Sequence, residues 1–165
     1  MSAFKLSDTL QISVEEAEEL IASYFSSFPS IKNFLDLLGS YGVRNGHILT
    51  YAPYRRKRWF SQWGPKMDFK QKGEITRASM NTPIQGASAD MTKQALIYIR
   101  REIKKNNWPV KIVMTVHDQI DTICHISKAK EWQIKMTELM EKAALLIVTN
   151  GLLKSETEIT KVWSK

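Results

Sequence analysis

Apolar positions recur at helical spacing in four stretches of the chain and turn β-rich in others. Ser13-Val14-Glu15-Glu16 has the S-x-x-E form of a capping box. Val14, Ala17, Leu20, Ile21, Tyr24 and Phe25 follow on one face, which predicts a helix opening at Ser13. Phe28-Pro29 interrupts it. Pro29 suits the start of a second helix carrying Ile31, Phe34, Leu35 and Leu38, and the run Gly39 to Gly46 is expected to break that helix. His47 to Phe60 reads as two strands around a turn near Ala52-Pro53. Ser61 to Gly73, with Gly64-Pro65 and no periodicity, reads as a loop. A long helix is predicted over about Glu74 to Lys105, buried along Ala87, Met91, Ala95, Ile99 and Ile103, with a kink or break at Pro83. Two apolar runs, Lys111 to Val116 and Gln119 to Cys124, then flank the polar pair His117-Asp118, which predicts a hairpin with that pair at its tip. Ser127 is a plausible N-cap for a last helix bearing Trp132, Met136, Leu139, Met140, Ala143, Leu146 and Ile147, running to about Thr149. Glu158 to Trp163 reads as a final strand. The expected class is α+β, an antiparallel sheet with helices packed mainly on one face.

A length of 165 residues, 43% hydrophobic and 25% charged, fits one domain or a large part of one rather than a disordered chain. The single cysteine, Cys124, excludes a disulfide framework and suits a reduced, cytoplasmic setting. No stretch reads as a signal peptide or a membrane span, and His47, His117 and His125 lack zinc-ligand spacing. The net charge of +7 is concentrated between Arg44 and Arg77. Arg55, Arg56, Lys57 and Arg58 lie there among Tyr51, Tyr54, Trp59, Phe60 and Trp63. Basic residues interleaved with aromatics suit a polyanion with stackable bases; a solvated charged hairpin has the same composition.

Two smaller patterns bear on chemistry. Arg77, Asn81 and Gln85 are spaced i, i+4, i+8 and form one stripe of donors on a helix. The minor groove of a duplex presents adenine N3 and thymine O2 acceptors in either A·T orientation, so such a stripe can hold DNA with little dependence on sequence. An ordinary exposed polar helix face has the same pattern. His117-Asp118, taken alone, is equally compatible with a solvated turn.

Together these segments resemble a known family. Arg77-Ala78-Ser79-Met80-Asn81-Thr82-Pro83-Ile84-Gln85-Gly86-Ala87-Ser88-Ala89-Asp90 is similar to the R-A-x-x-N-x-P-x-Q-G-x-x-A-D segment of family A (DNA polymerase I-like) polymerases. Val116-His117-Asp118 resembles the start of that family's motif C, V-H-D-E. Met1-Ser2-Ala3-Phe4, Tyr24-Phe25 and Phe28-Pro29 resemble the stretch after the fingers helix. The likeness covers nearly the whole chain and implies that residues 1–165 are the C-terminal part of a palm domain. It implies that Asp118 ligates catalytic magnesium ions (Mg2+) and that His117 sits beside the primer terminus. It also implies that Arg77, Asn81 and Gln85 contact the template and primer, with dNTPs as substrates of the complete enzyme. Mg2+ is a hard cation that takes oxygen ligands, which suits a carboxylate in that role.

Two departures matter. Gln119 stands where the family usually has glutamate, and the chain contains neither motif A, with the other metal-binding aspartate, nor the nucleotide-binding fingers helix. The expectation is therefore a polymerase portion inactive by itself, partnered by a segment that supplies those parts, in a bacterial or phage-infected cell. A non-catalytic DNA-binding module or accessory subunit is the alternative, and a His-Asp metal nuclease a third.

Overall fold

Ser13 and Glu16 cap a helix as their spacing requires: Glu16 N–H donates to Ser13 Oγ at 3.1 Å and Ser13 N–H to Glu16 Oε2 at 3.0 Å. In the computed structural model, which describes residues 2–163, this helix is α2 (Val14–Ser27). A shorter helix, α1 (Ala3–Leu10), precedes it, and α3 (Pro29–Asn45) follows with Pro29 in its first turn. Strands β1 (His47–Leu49) and β2 (Lys57–Trp59) pair in a two-stranded sheet. Then come helix α4 (Phe69–Lys105), the hairpin β3 (Val110–Val116) and β4 (Gln119–Cys124), a 3-10 turn (Ile126–Lys128) and α5 (Ala129–Ala144). Helices with small antiparallel sheets make the chain α+β, as expected from its pattern. No helix among the described residues is long and apolar enough to cross a membrane.

The chain divides into two compact units, Met1–Ile48 with Trp59–Met80, and Leu49–Arg58 with Asn81–Lys165. In the first, Ile48, Phe60 and Ile75 are buried together, with Leu38, Val43, Met67 and Ala78 packed around them. Here the expected break at Gly39 does not occur, and α3 runs on to Asn45. A Cβ at Gly42 would lie 1.8 Å from Ser79 Oγ, and one at Gly39 would lie 2.8 Å from Thr76 Cγ2. These glycines serve close helix packing, which outweighs their poor helix propensity. The helix stops at Gly46, whose φ of 71° is left-handed. The expected loop Ser61 to Gly73 is shorter than its sequence suggests. Asp68 and Gln71 cap α4 reciprocally, with Gln71 N–H donating to Asp68 Oδ1 at 2.7 Å and Asp68 N–H to Gln71 Oε1 at 3.0 Å.

Helix α4 is also continuous through Pro83, where a kink or break was expected. Pro83 withholds the bond that residue 83 would give to the Ser79 carbonyl, a local loss that the helix sustains because Pro83 is buried among packed neighbours.

In the second unit Ala95 and Ile99 of α4 meet Val110 and Ile120 of the hairpin and Trp132, Met136 and Ala143 of α5. Burial of Ile99 and Trp132, 0% and 3% exposed, contributes about 2–3 kcal/mol each. Both helices lie on one face of the β3–β4 hairpin; Val113 and Ile123 on its other face are exposed. The hairpin register runs from Val110↔Cys124 to Val116↔Gln119, with a shift between Ile112 and Met114 that leaves Val113 as a bulge. Trp132 Nε1 donates to Thr122 Oγ1 at 2.9 Å and fixes α5 on β4. Helix α5 ends at Ala144, earlier than expected, and Ser127 lies in the 3-10 turn rather than capping α5. The strand predicted over Glu158 to Trp163 does not form, because the preceding chain is bound to α5 rather than to a sheet edge. Gln133 Nε2 donates to the Thr157 carbonyl, the Thr137 and Thr157 hydroxyls lie 2.8 Å apart, and Ser155 N–H donates to Glu141 Oε1 at 3.4 Å.

Candidate functional site

The β3–β4 turn consists of His117 and Asp118 alone, because Val116 and Gln119 already pair. A two-residue turn must match the right-handed twist of its strands, which needs a positive φ at its first or at both central positions. His117 has φ 55° and Asp118 does not share the positive region, the φ pattern of a type II′ turn. Glycine usually fills such a place; histidine is among the few side chains that tolerate it. Both side chains are exposed. The hairpin thus presents an imidazole and a carboxylate at a mount held by strand pairing and, through Ile120, by the core.

The next residues are tied to each other. Gln119 and Asp121 share a strand face by the two-residue period, and Gln119 Nε2 donates to Asp121 Oδ1 at 2.8 Å. Asp121 Oδ2 is buried and has no hydrogen-bond partner. Among the described residues, no group of three or more His, Cys, Asp or Glu side chains could hold a metal ion. The donor chemistry nevertheless fits Mg2+ in part: Asp118 offers an accessible carboxylate, and Mg2+ is commonly held by one or two carboxylates with waters and substrate phosphates. Asp118 is the residue that would hold it here.

Helix α4 carries Arg77, Asn81 and Gln85, all exposed, Arg77 in the first unit and the other two in the second. The basic segment behaves differently from its expected role as a free polycation. Arg56 Nε and Nη2 both lie 2.9 Å from Asp90 Oδ1, and Nη2 reaches the Gly86 carbonyl at 3.5 Å. Arg58 Nη1 donates to Thr82 Oγ1 at 2.9 Å, and Tyr54 Oη to Gln94 Oε1 at 2.7 Å. Thr82, Gly86 and Asp90 form a stripe turned about 100° from Asn81 and Gln85. The segment therefore docks beside the donor stripe and leaves it open to solvent. Gly86 makes this possible, since a Cβ there would lie 2.5 Å from Thr50 Cγ2. Arg55, with φ 45°, and Lys57 are exposed. The 34-residue separation between Arg56 and Asp90 hid their pairing from sequence reasoning. The Gln119–Asp121 bond could have been read from their spacing.

The profile of DNA polymerase family A matches residues 1–165. The chain belongs to DNA polymerase family A. DNA polymerase I of Streptococcus pneumoniae serotype 4 is 32% identical over 158 residues, covering 96% of this chain and 17% of that protein. DNA polymerase I of Caldicellulosiruptor bescii is 35% identical over 120 residues, 73% of this chain and 14% of that protein. Among solved structures, the POL domain of Pol1 from M. smegmatis, in complex with DNA primer-template and dNTP, superposes with a TM-score of 0.76. Its sequence identity is 27%, over 86% of this chain and 24% of the other. This family A chain thus spans less than a fifth of the length of these bacterial polymerases. The hairpin tip and the α4 stripe are the places where it carries the segments similar to motif C and R-A-x-x-N-x-P-x-Q-G-x-x-A-D.

Proposed function

We propose that the chain is the C-terminal palm portion of a DNA-directed DNA polymerase, acting on primer-template DNA and dNTPs in template-directed nucleotidyl transfer. The observation that carries this reading is Asp118, an exposed carboxylate on a two-residue turn, within a chain matched to the family from end to end. When bound, Mg2+ supplies charge stabilisation at the 3′-hydroxyl and at the leaving pyrophosphate in a two-metal, in-line displacement. Asp118 is the ligand this chain contributes, and the strand pairing on either side holds it in place. His117 presents its imidazole beside Asp118, where it meets the primer terminus. Asn81 and Gln85, with Arg77 on the same helix, donate to minor-groove acceptors near the growing end. That contact grips a duplex without reading its sequence, a property replication requires. Arg55, Lys57 and the part-exposed Arg56 and Arg58 add a sequence-independent attraction to phosphates.

Nucleotidyl transfer then needs a second palm carboxylate and a nucleotide-binding helix from a further polymerase segment. The purified 165-residue chain, given primer-template, Mg2+ and all four dNTPs, is expected not to extend the primer. Addition of a polypeptide bearing motif A and the fingers helix is expected to restore extension, and Asp118→Ala to abolish it. Extension by the chain alone, or extension that survives Asp118→Ala, refutes the reading.

A second reading, a non-catalytic DNA-binding module, is favoured by one observation: the amide of Gln119, where the family usually has glutamate, is bound to Asp121. It predicts salt-sensitive DNA binding with no extension under any complementation.

A further inference from the structure

Asp121 is the acidic residue of the hairpin that the proposed reaction leaves without a task. Its carboxylate is half-spoken for: Oδ1 accepts the Gln119 amide at 2.8 Å, while Oδ2 is buried with no partner. A buried carboxylate oxygen without a donor is costly and needs a compensating charge or a reason to be kept. The bond to Gln119 also constrains position 119. An amide there donates to Asp121; a carboxylate would set two acceptors face to face on neighbouring positions of one strand face, and like charges so placed repel. Gln119 adjoins Asp118 directly.

We propose that Gln119 and Asp121 are one positioning unit, an amide clamped to a carboxylate, which places the hairpin's second negative charge two residues beyond Gln119 and directs it toward a divalent cation held at Asp118. The proposal rests on the assignment of Asp118 above. Asp121 is three residues along the strand, about 10 Å from Asp118. A unit charge at that distance from a dication strengthens binding about fourfold even at the dielectric of water, and more where solvent is partly excluded. The effect acts at a distance, so Asp121 touches neither the cation nor the substrate. The neutral residue at 119 and the acid at 121 are then a matched pair, and exchanging which of them is charged should preserve what exchanging only one would break.

The test is a swap on the full chain, read by thermal melting and by electron paramagnetic resonance of free and bound Mn2+ in low-salt buffer, where charge effects are least screened. Gln119→Glu is expected to lower Tm by about 5 °C. Asp121→Asn is expected to leave Tm nearly unchanged and to weaken Mn2+ binding about fourfold. The double variant Gln119→Glu/Asp121→Asn restores a carboxylate bonded to an amide and is expected to recover both Tm and Mn2+ affinity. Unchanged Mn2+ affinity in Asp121→Asn, or a double variant no more stable than Gln119→Glu, overturns the inference while leaving Asp118 in its role. Absence of Mn2+ binding by the wild-type chain, or binding that Asp118→Asn leaves intact, overturns the metal assignment of Asp118 and this inference with it.

Discussion

Replacing Arg56 with alanine strands a carboxylate that is almost wholly covered. The Asp90 side chain is 5% exposed, its Oδ1 receives both Arg56 nitrogens at 2.9 Å, and its Oδ2 has no other partner to fall back on. Breaking a buried ion pair from one side costs about 3–5 kcal/mol, because the remaining charge is uncompensated. The Arg56 side chain is 48% exposed, so water enters part of the space vacated and screens what is left. The discounted cost is about 2 kcal/mol, equivalent to a Tm decrease of about 4–8 °C for a chain of this length. Urea unfolding followed by circular dichroism measures it, provided the slope of the transition stays constant. Arg55→Ala, at an exposed neighbour, is the control and is expected to fall within about 0.5 kcal/mol of wild type. Combining Arg56→Ala with Asp90→Asn should recover at least half of the loss, since the stranded charge is gone. Equal stability of Arg56→Ala and Arg55→Ala would refute the reasoning and return Arg56 to the same standing as its basic neighbours. The distinction matters for function: Arg56→Ala should weaken DNA binding partly through loss of structure, whereas Arg55→Ala should act on the salt dependence alone.

Gly42→Ala gains about 1 kcal/mol of helix propensity but drives a methyl to 1.8 Å from Ser79 Oγ, so a net loss of about 1–2 kcal/mol is expected by chemical denaturation; a neutral result would refute the close approach of α3 to Ser79. Glu102 accepts bonds from Asn106 Nδ2 at 2.7 Å and Trp108 Nε1 at 3.2 Å. The Asn106 bond above all, with the Trp108 bond adding to it and burial opposing both, holds its carboxyl below the usual 4.5. A depressed folded-state value contributes stability that is complete above about pH 4.5 and is lost as pH falls through the folded value. Glu102→Gln is therefore expected to flatten the stability profile on the acid side of pH 4.5, and a urea-midpoint profile as steep as wild type's would contradict this.

What the sequence by itself determined lies within a few residues of chain. The reciprocal bonds of Ser13 and Glu16, the first-turn place of Pro29 and the tip position of His117 and Asp118 follow from cap geometry and side-chain periodicity, which are local rules. The donor stripe of Arg77, Asn81 and Gln85 also lay open to reading, because one helix carries all three. Tertiary structure decided the rest. Gly39 and Gly42 continue a helix instead of ending it because Thr76 and Ser79 press against them, and Pro83 sits inside α4 because packing holds it there. The apolar alternation after Glu158 yields no strand because Ser155 and Thr157 are already bound to α5. Arg56 departs from the basic run around it because its partner, Asp90, is 34 residues away. Propensity and spacing rank conformations by tenths of a kilocalorie to about one, whereas a packed helix face or a covered ion pair acts with several, so the distant contact prevails wherever the two disagree.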